Sequence, residues 1–148
     1  MQGNRELIHS LYEAFGRGDA GTVLGTFDPQ IVWREADNFL YADRNPYIGP
    51  QQVAEGVFAR LMTEFEGFTV TPEKIVAEGD TVISVGRYSG TFRATGRKLD
   101  AQFAHAWTIE DGRVTRFQQY TDTAQFAWAA EASGAANAMA AVSAVAPA

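Results

Sequence analysis

From Gly67 to Thr121 the chain reads as extended throughout, in four segments: FTVTPEKIVAEGD, TVISVGRYSGTFRAT, KLDAQFAHAWTIED and RVTRFQQYT. Short GD, TGR and EDGR turns separate them, and turns of that length join neighbouring antiparallel strands. Strands with alternating apolar residues have one face to cover, and the covering elements must come from elsewhere in the chain.

The preceding residues supply that cover. In NRELIHSLYEAFGRGD, Leu7, Ile8, Leu11, Tyr12 and Phe15 fall at helical spacing, with Asn4 in the N-cap position and Gly16 and Gly18 as the stop. A second short helix is expected from Ala20 to Phe27, closing at Asp28-Pro29. IVWREA follows as a strand whose alternation puts Trp33 and Glu35 on one face. DNFLYADRNPYIGP reads as a loop that folds Phe39, Tyr41 and Tyr47 over the interior. From Pro50 to Phe65 a third helix carries Val53, Val57, Phe58, Leu61, Met62 and Phe65 on one stripe. DTAQFAWAAEA is a short C-terminal helix.

The order α-α-β-α-β-β-β-β plus that helix predicts an α+β fold. A strongly curved antiparallel sheet wraps round the N-terminal helices and leaves a conical hole between sheet and helices. Length places residues 1–130 in one domain; the Ala-rich remainder, 131–148, is expected to fray.

Composition narrows the function. A net charge of −6, with no basic cluster beyond Gly96–Lys98, argues against nucleic acid. The chain has no cysteine, which removes thiolate chemistry, and no run long enough to span a membrane. The opening MQGNRELIH lacks an apolar signal core, so a cytoplasmic location is the default expectation. His9 and His105 share no metal-ligand spacing, no phosphate or dinucleotide loop occurs, and no cofactor or metal is implied. The aromatic content of 12% clusters in the strand regions, where it can line a cavity for a small apolar molecule.

The hairpin FAHAWTIEDGRVTRFQQYTDTAQF holds the most informative polar residue. A three-residue loop with Gly112 in the left-handed position would set Ile109 against Arg113, leaving Phe103, His105, Trp107, Phe117 and Gln119 on one face. A two-residue turn would instead bring Arg116, Gln118, Tyr120 and Asp122 beside His105, because one register step flips every side chain. The first register is preferred because it adds Phe117 to the aromatic face. The opposite face, with Ala104, Ala106 and Thr108, is small and flat enough to take a second copy in a homodimer.

The same run, together with NPYIGPQQVAEGVFARL and FDPQIVWREA, closely resembles ketosteroid-isomerase-related proteins of the SnoaL-like group, within the nuclear-transport-factor-2-like, cystatin-like superfamily. The resemblance covers residues 4 to about 128 and implies the conical fold and a homodimer. It is a weaker guide to reaction, since such a fold hosts isomerases, cyclases, epoxide hydrolases and binders alike. In the cyclases of this group a pocket histidine lies seven residues before the turn glycine, as His105 does before Gly112. Their acid/base aspartate lies seven after it, where this chain has Gln119. The carboxylate base of ketosteroid isomerases falls roughly at Glu35.

These readings make His105 and Glu35 the proton-handling candidates. His105 is expected to titrate near neutrality and Glu35 to be raised by its aromatic surroundings. Trp33, Phe103, Trp107, Phe117, Gln119, Tyr88 and Tyr47 are the candidate substrate-binding residues, with Tyr41 a further hydroxyl that nothing ranks below Tyr88 and Tyr47. Asp122 fits a helix capping box with Gln125 better than a catalyst. The expected activity is cofactor-independent acid/base chemistry, an isomerisation or a related lyase or hydrolase step, on a carbonyl, polyketide- or steroid-like substrate. The alternative is a binding protein that kept the pocket and lost the catalytic aspartate. An epoxide hydrolase comes third, because it needs two acidic groups and only Glu35 is on offer.

Overall fold

The computed structural model describes residues 3–131, so the tail expected to fray from 131 lies almost wholly outside the described residues. Helix α1 (Asn4–Gly16) buries Ile8, Leu11 and Tyr12 on its apolar stripe. Asn4 begins the helix without capping it: Gly3 holds the N-cap position, and the Asn4 side chain donates to the Gly79 carbonyl at 3.1 Å. Helix α2 (Ala20–Gly25) starts at Asp19, whose carboxylate accepts from the Thr22 amide and hydroxyl.

Six strands form a single sheet in the order β2-β1-β6-β5-β4-β3. They are β1 (Phe27–Arg34), β2 (Tyr47–Ile48), β3 (Phe65–Glu78), β4 (Thr81–Phe92), β5 (Lys98–Glu110) and β6 (Arg113–Thr121). The sheet is curved and unclosed, with helices over its concave face, as the alternation requires. Two features depart from the expected antiparallel sheet. The loop after β1 returns as the two-residue strand β2, and β1 pairs with β6 in parallel. That parallel pairing joins the N-terminal half to the end of the hairpin, setting Trp33 beside Phe117.

The third helical segment is not uniform. Helix α3 (Pro50–Val53) passes through a π-helical turn (Ala54–Phe58) into α4 (Ala59–Glu64). Gly56, inside that turn, lies under the Tyr47 ring: a Cβ there would come within 2.2 Å of Tyr47 Cε2. The missing side chain lets the ring close down on the helix, and Tyr47 is buried there. Helix α5 (Thr123–Ala130) is capped by Asp122, whose carboxylate accepts from the Gln125 amide at 3.3 Å. The Gln125 side chain does not complete a capping box; it accepts from the Asp100 amide at 3.4 Å. Phe126 of this helix is fully buried, with its ring 4.6 Å from Phe39 and 5.5 Å from Tyr88, and so plugs one end of the sheet.

The hairpin arrives at the expected face by another route. Asp111 and Gly112 both have positive φ (51° and 74°) and make a two-residue turn in which Glu110 pairs with Arg113 and Ile109 with Val114. Left alone, that turn would have flipped β6. A bulge at Thr115 restores the face two residues out of the expected register, so that Trp107 faces Phe117 and His105 faces Gln119. Thr115 holds the bulge by donating to the Thr108 carbonyl and to Glu110. On the convex face, where the sequence reading sets a second copy, Ile83, Val85 and Tyr120 are exposed. Among the described residues no helix is long and apolar enough to cross a membrane.

Candidate functional site

Between the helices and the concave face lies a cavity of about 70 Å³. It is lined by Trp33, Glu35, Tyr88, His105, Trp107, Phe117 and Gln119 from the sequence-predicted set. Two predicted members are elsewhere. Phe103 lies behind the wall, its ring stacked on His105 at 4.1 Å and tilted against Tyr88 at 4.7 Å. Tyr47 points away toward α3 and α4 and donates to the Tyr41 carbonyl. Tyr41 is occupied too, donating to Glu64 at 2.6 Å beneath the Arg60 guanidinium. Of the three tyrosines, Tyr88 is the one on the cavity.

His105 is 5% exposed and both of its ring nitrogens meet tyrosine hydroxyls. Nδ1 lies 2.6 Å from Tyr12 Oη and Nε2 is bonded to Tyr88 Oη. Tyr12 also bonds Ser84 and receives the Trp107 indole N–H at 3.2 Å. At the other end Gln119 donates from Nε2 to Tyr88 at 3.0 Å. Its orientation is fixed because its Oε1 accepts from the Ala36 amide at 3.1 Å, and an amide N–H can only donate. Burial pushes His105 down to about 3, so the ring is neutral at physiological pH and not near its titration midpoint as expected. Tyr12 and Tyr88 are both raised, chiefly by burial, and remain hydroxyls.

Glu35 sits one residue past β1, on the Trp33 side as the alternation required, and is 2% exposed. Asn45 grips its backbone from both sides, accepting from the Glu35 amide at 2.9 Å and donating to its carbonyl at 2.8 Å. The carboxyl meets the Trp33 indole N–H, though not with the length and angle of an ordinary hydrogen bond, and that N–H has no other acceptor among the described residues. Burial pushes Glu35 up to about 8; the nearby Trp33 indole and, more weakly, the Arg60 charge pull the other way. Arg60 cannot move closer, because it forks onto Asp43 at 2.8 and 3.0 Å and donates to Tyr47.

The chain matches the SnoaL-like domain over residues 8–117. It is a member of the SnoaL-like family. A nuclear-transport-factor-2-like protein from Burkholderia thailandensis E264 is similar, with 35% identity over 87% of this chain and 98% of its own, at a TM-score of 0.83. Another, from Burkholderia pseudomallei K96243, is 25% identical over 87% and 98%, at 0.79. TerC, co-crystallised with polyporic acid, is 26% identical over 85% and 96%, at 0.75. No curated protein matches the chain.

In this SnoaL-like protein the position opposite His105 is an amide committed to the wall of the cavity. Sequence reasoning missed two members of the network, Tyr12 and Ser84. Tyr12 carried a signal: it is the polar-tipped residue on the α1 stripe, and that stripe had to face the sheet bearing His105. Ser84 gave only strand alternation, which places it opposite His105 across β4 and β5.

Proposed function

We propose that this protein is a cofactor-independent acid/base enzyme acting on a small apolar carbonyl compound, with Glu35 as its proton-transferring group. The observation that carries the proposal is a buried carboxyl raised to about 8 on the wall of an aromatic cavity, with the Trp33 indole N–H as its hydrogen-bonding neighbour. Such a group exchanges its proton near working pH. His105, neutral and held at both nitrogens, supports the site without relaying charge. The step this arrangement suits is removal and return of a proton next to a carbonyl, the core of an isomerisation. A cavity of about 70 Å³ favours a compact substrate, since a cavity of roughly 150 Å³ is what accommodates benzene. A benzene-sized or larger molecule would need wall residues to move. Co-crystallisation of the relative TerC with polyporic acid supports an organic occupant.

A binding role without chemistry is the second reading, favoured by Gln119 where the cyclases of the resemblance carry aspartate. One assay separates the two. Exchange of the α-protons of acetone in D₂O, followed by NMR, is expected to be accelerated by the protein, with a rate rising through about pH 8 as Glu35 ionises. Glu35→Gln should reduce it to the buffer rate. Acceleration that survives Glu35→Gln would refute the role of Glu35, and no acceleration by the native protein would favour the binding reading.

A further inference from the structure

The polar network behind the cavity contains one hydrogen too many for its own links. Ser84, Tyr12, His105 and Tyr88 form a chain joined by three contacts: Ser84 with Tyr12, Tyr12 with His105 Nδ1, and His105 Nε2 with Tyr88. A neutral ring and three hydroxyls bring four hydrogens to those three links. The flanking groups add donors and take none. The Trp107 N–H points at Tyr12 and Ser84, and the Gln119 amide nitrogen donates to Tyr88.

One hydrogen must therefore leave the chain at an end. If it leaves at Ser84, it enters a site that is 0% exposed and holds no acceptor for it among the described residues. A buried hydroxyl without an acceptor is costly. If it leaves at Tyr88, it emerges on the cavity wall, where a bound molecule or water can accept it. The valences agree with the second arrangement. Tyr12 accepts from Ser84 and Trp107 and donates to Nδ1, which saturates its oxygen. Tyr88 accepts from Nε2 and from Gln119, and its own hydrogen is the one left over.

We infer that His105 is held as the Nε2–H tautomer, and that it turns the Tyr88 hydroxyl hydrogen into the cavity to bind an acceptor oxygen of the ligand. His105, Gln119 and Ser84 are positioning residues in this scheme, and Tyr88 touches the ligand. The site thus selects a compact apolar body that carries a carbonyl-type oxygen, and rejects the same shape without one. This rests on reading the cavity as a ligand site, but not on any turnover.

The test is a two-bond ¹H–¹⁵N correlation on the intact chain labelled in histidine, at pH 7 without ligand. The expected spectrum shows the buried His105 with a protonated Nε2 and a bare Nδ1, set against the exposed His9. A protonated Nδ1, or an even mixture of tautomers, would overturn the inference. Ligand selection is then read with a shape-matched pair small enough for the cavity, acetone and isobutene. The ketone should bind roughly tenfold more tightly, as one buried hydrogen bond allows, and Tyr88→Phe should abolish most of that preference. Equal binding of the pair to the native protein would overturn the donor role of Tyr88. Loss of the ketone preference with an intact tautomer assignment, or the reverse, separates this inference from the fate of Glu35 as a catalyst.

Discussion

Two titratable side chains reach the same cavity, and the chain treats them in opposite ways. The His105 ring is bonded at both nitrogens, stacked on Phe103 at 4.1 Å and backed by Tyr12, Tyr88, Ser84 and Gln119. The Glu35 backbone is clamped by Asn45 while its carboxyl has the Trp33 indole N–H as its hydrogen-bonding neighbour, outside ordinary hydrogen-bond geometry. Both are displaced from their ordinary pKa by burial, one to about 3 and the other to about 8. The difference lies in what the neutral form gains. Neutral His105 completes a hydrogen-bonded chain, so its neutrality is part of the architecture. Neutral Glu35 completes no such chain, and the Trp33 indole beside it favours the charged form, so its proton remains free to move. Burial alone does not mark a working group; burial with the neutral head group left outside the network does.

The largest loss should come from breaking the satisfied side. His105→Ala opens a cavity and strands hydroxyls on Tyr12 and Tyr88, and is expected to lower stability by roughly 3–5 kcal/mol in denaturant unfolding. A loss below about 1 kcal/mol would mean that the network contributes little to the fold.

Breaking the unsatisfied side should do the reverse. The folded pKa of Glu35 is raised above its unfolded value, so between about pH 4.5 and about pH 8 the folded protein holds a proton that the unfolded chain has released, and stability falls as pH rises. The folded pKa of His105 is depressed from 6.5 to about 3, so stability falls as pH drops through that range, while the unfolded chain binds a proton the folded one refuses. The two slopes cancel between about pH 4.5 and 6.5, and only the Glu35 decline remains from there to about 8. Glu35→Gln should remove that decline and stabilise the protein by roughly 4–5 kcal/mol at pH 8–9 relative to its effect at pH 4. An unchanged pH dependence of the denaturant midpoint would place Glu35 in a polar, solvated setting.

Much of this was legible in the sequence, for identifiable reasons. Alternation in β1 and β5 assigned Trp33, Glu35, His105 and Trp107 to the inner face, because period-two patterning leaves a strand only two choices. The face of β6 came out as expected although its turn did not: the two-residue turn at Asp111-Gly112 and the bulge at Thr115 shift the register by one residue each in the same direction, and a net shift of two keeps the face. Local turn chemistry could not reveal a bulge three residues downstream. Strand β2 was hidden in a loop because two residues show no periodicity, and the parallel partnership of β1 with β6 is a long-range choice that no local pattern encodes. Tyr47 and Phe103 read as cavity residues by composition. Gly56 and the stacking on His105 decide otherwise, and both depend on contacts between distant segments. The shift of His105 followed the same rule: its aromatic neighbours were visible in the sequence, but the depth of its burial and the Tyr12 hydroxyl arriving from α1 were not.

The contrast between the two groups can be tested at a single carbon. In protein labelled with ¹³C at glutamate side chains, the Glu35 Cδ resonance should titrate with a midpoint near pH 8, well separated from the exposed glutamates. A midpoint near 4.5 would mean that its carboxyl is ionised at neutral pH and already stabilised by partners, and would contradict the account of Glu35 as the group left free to move a proton.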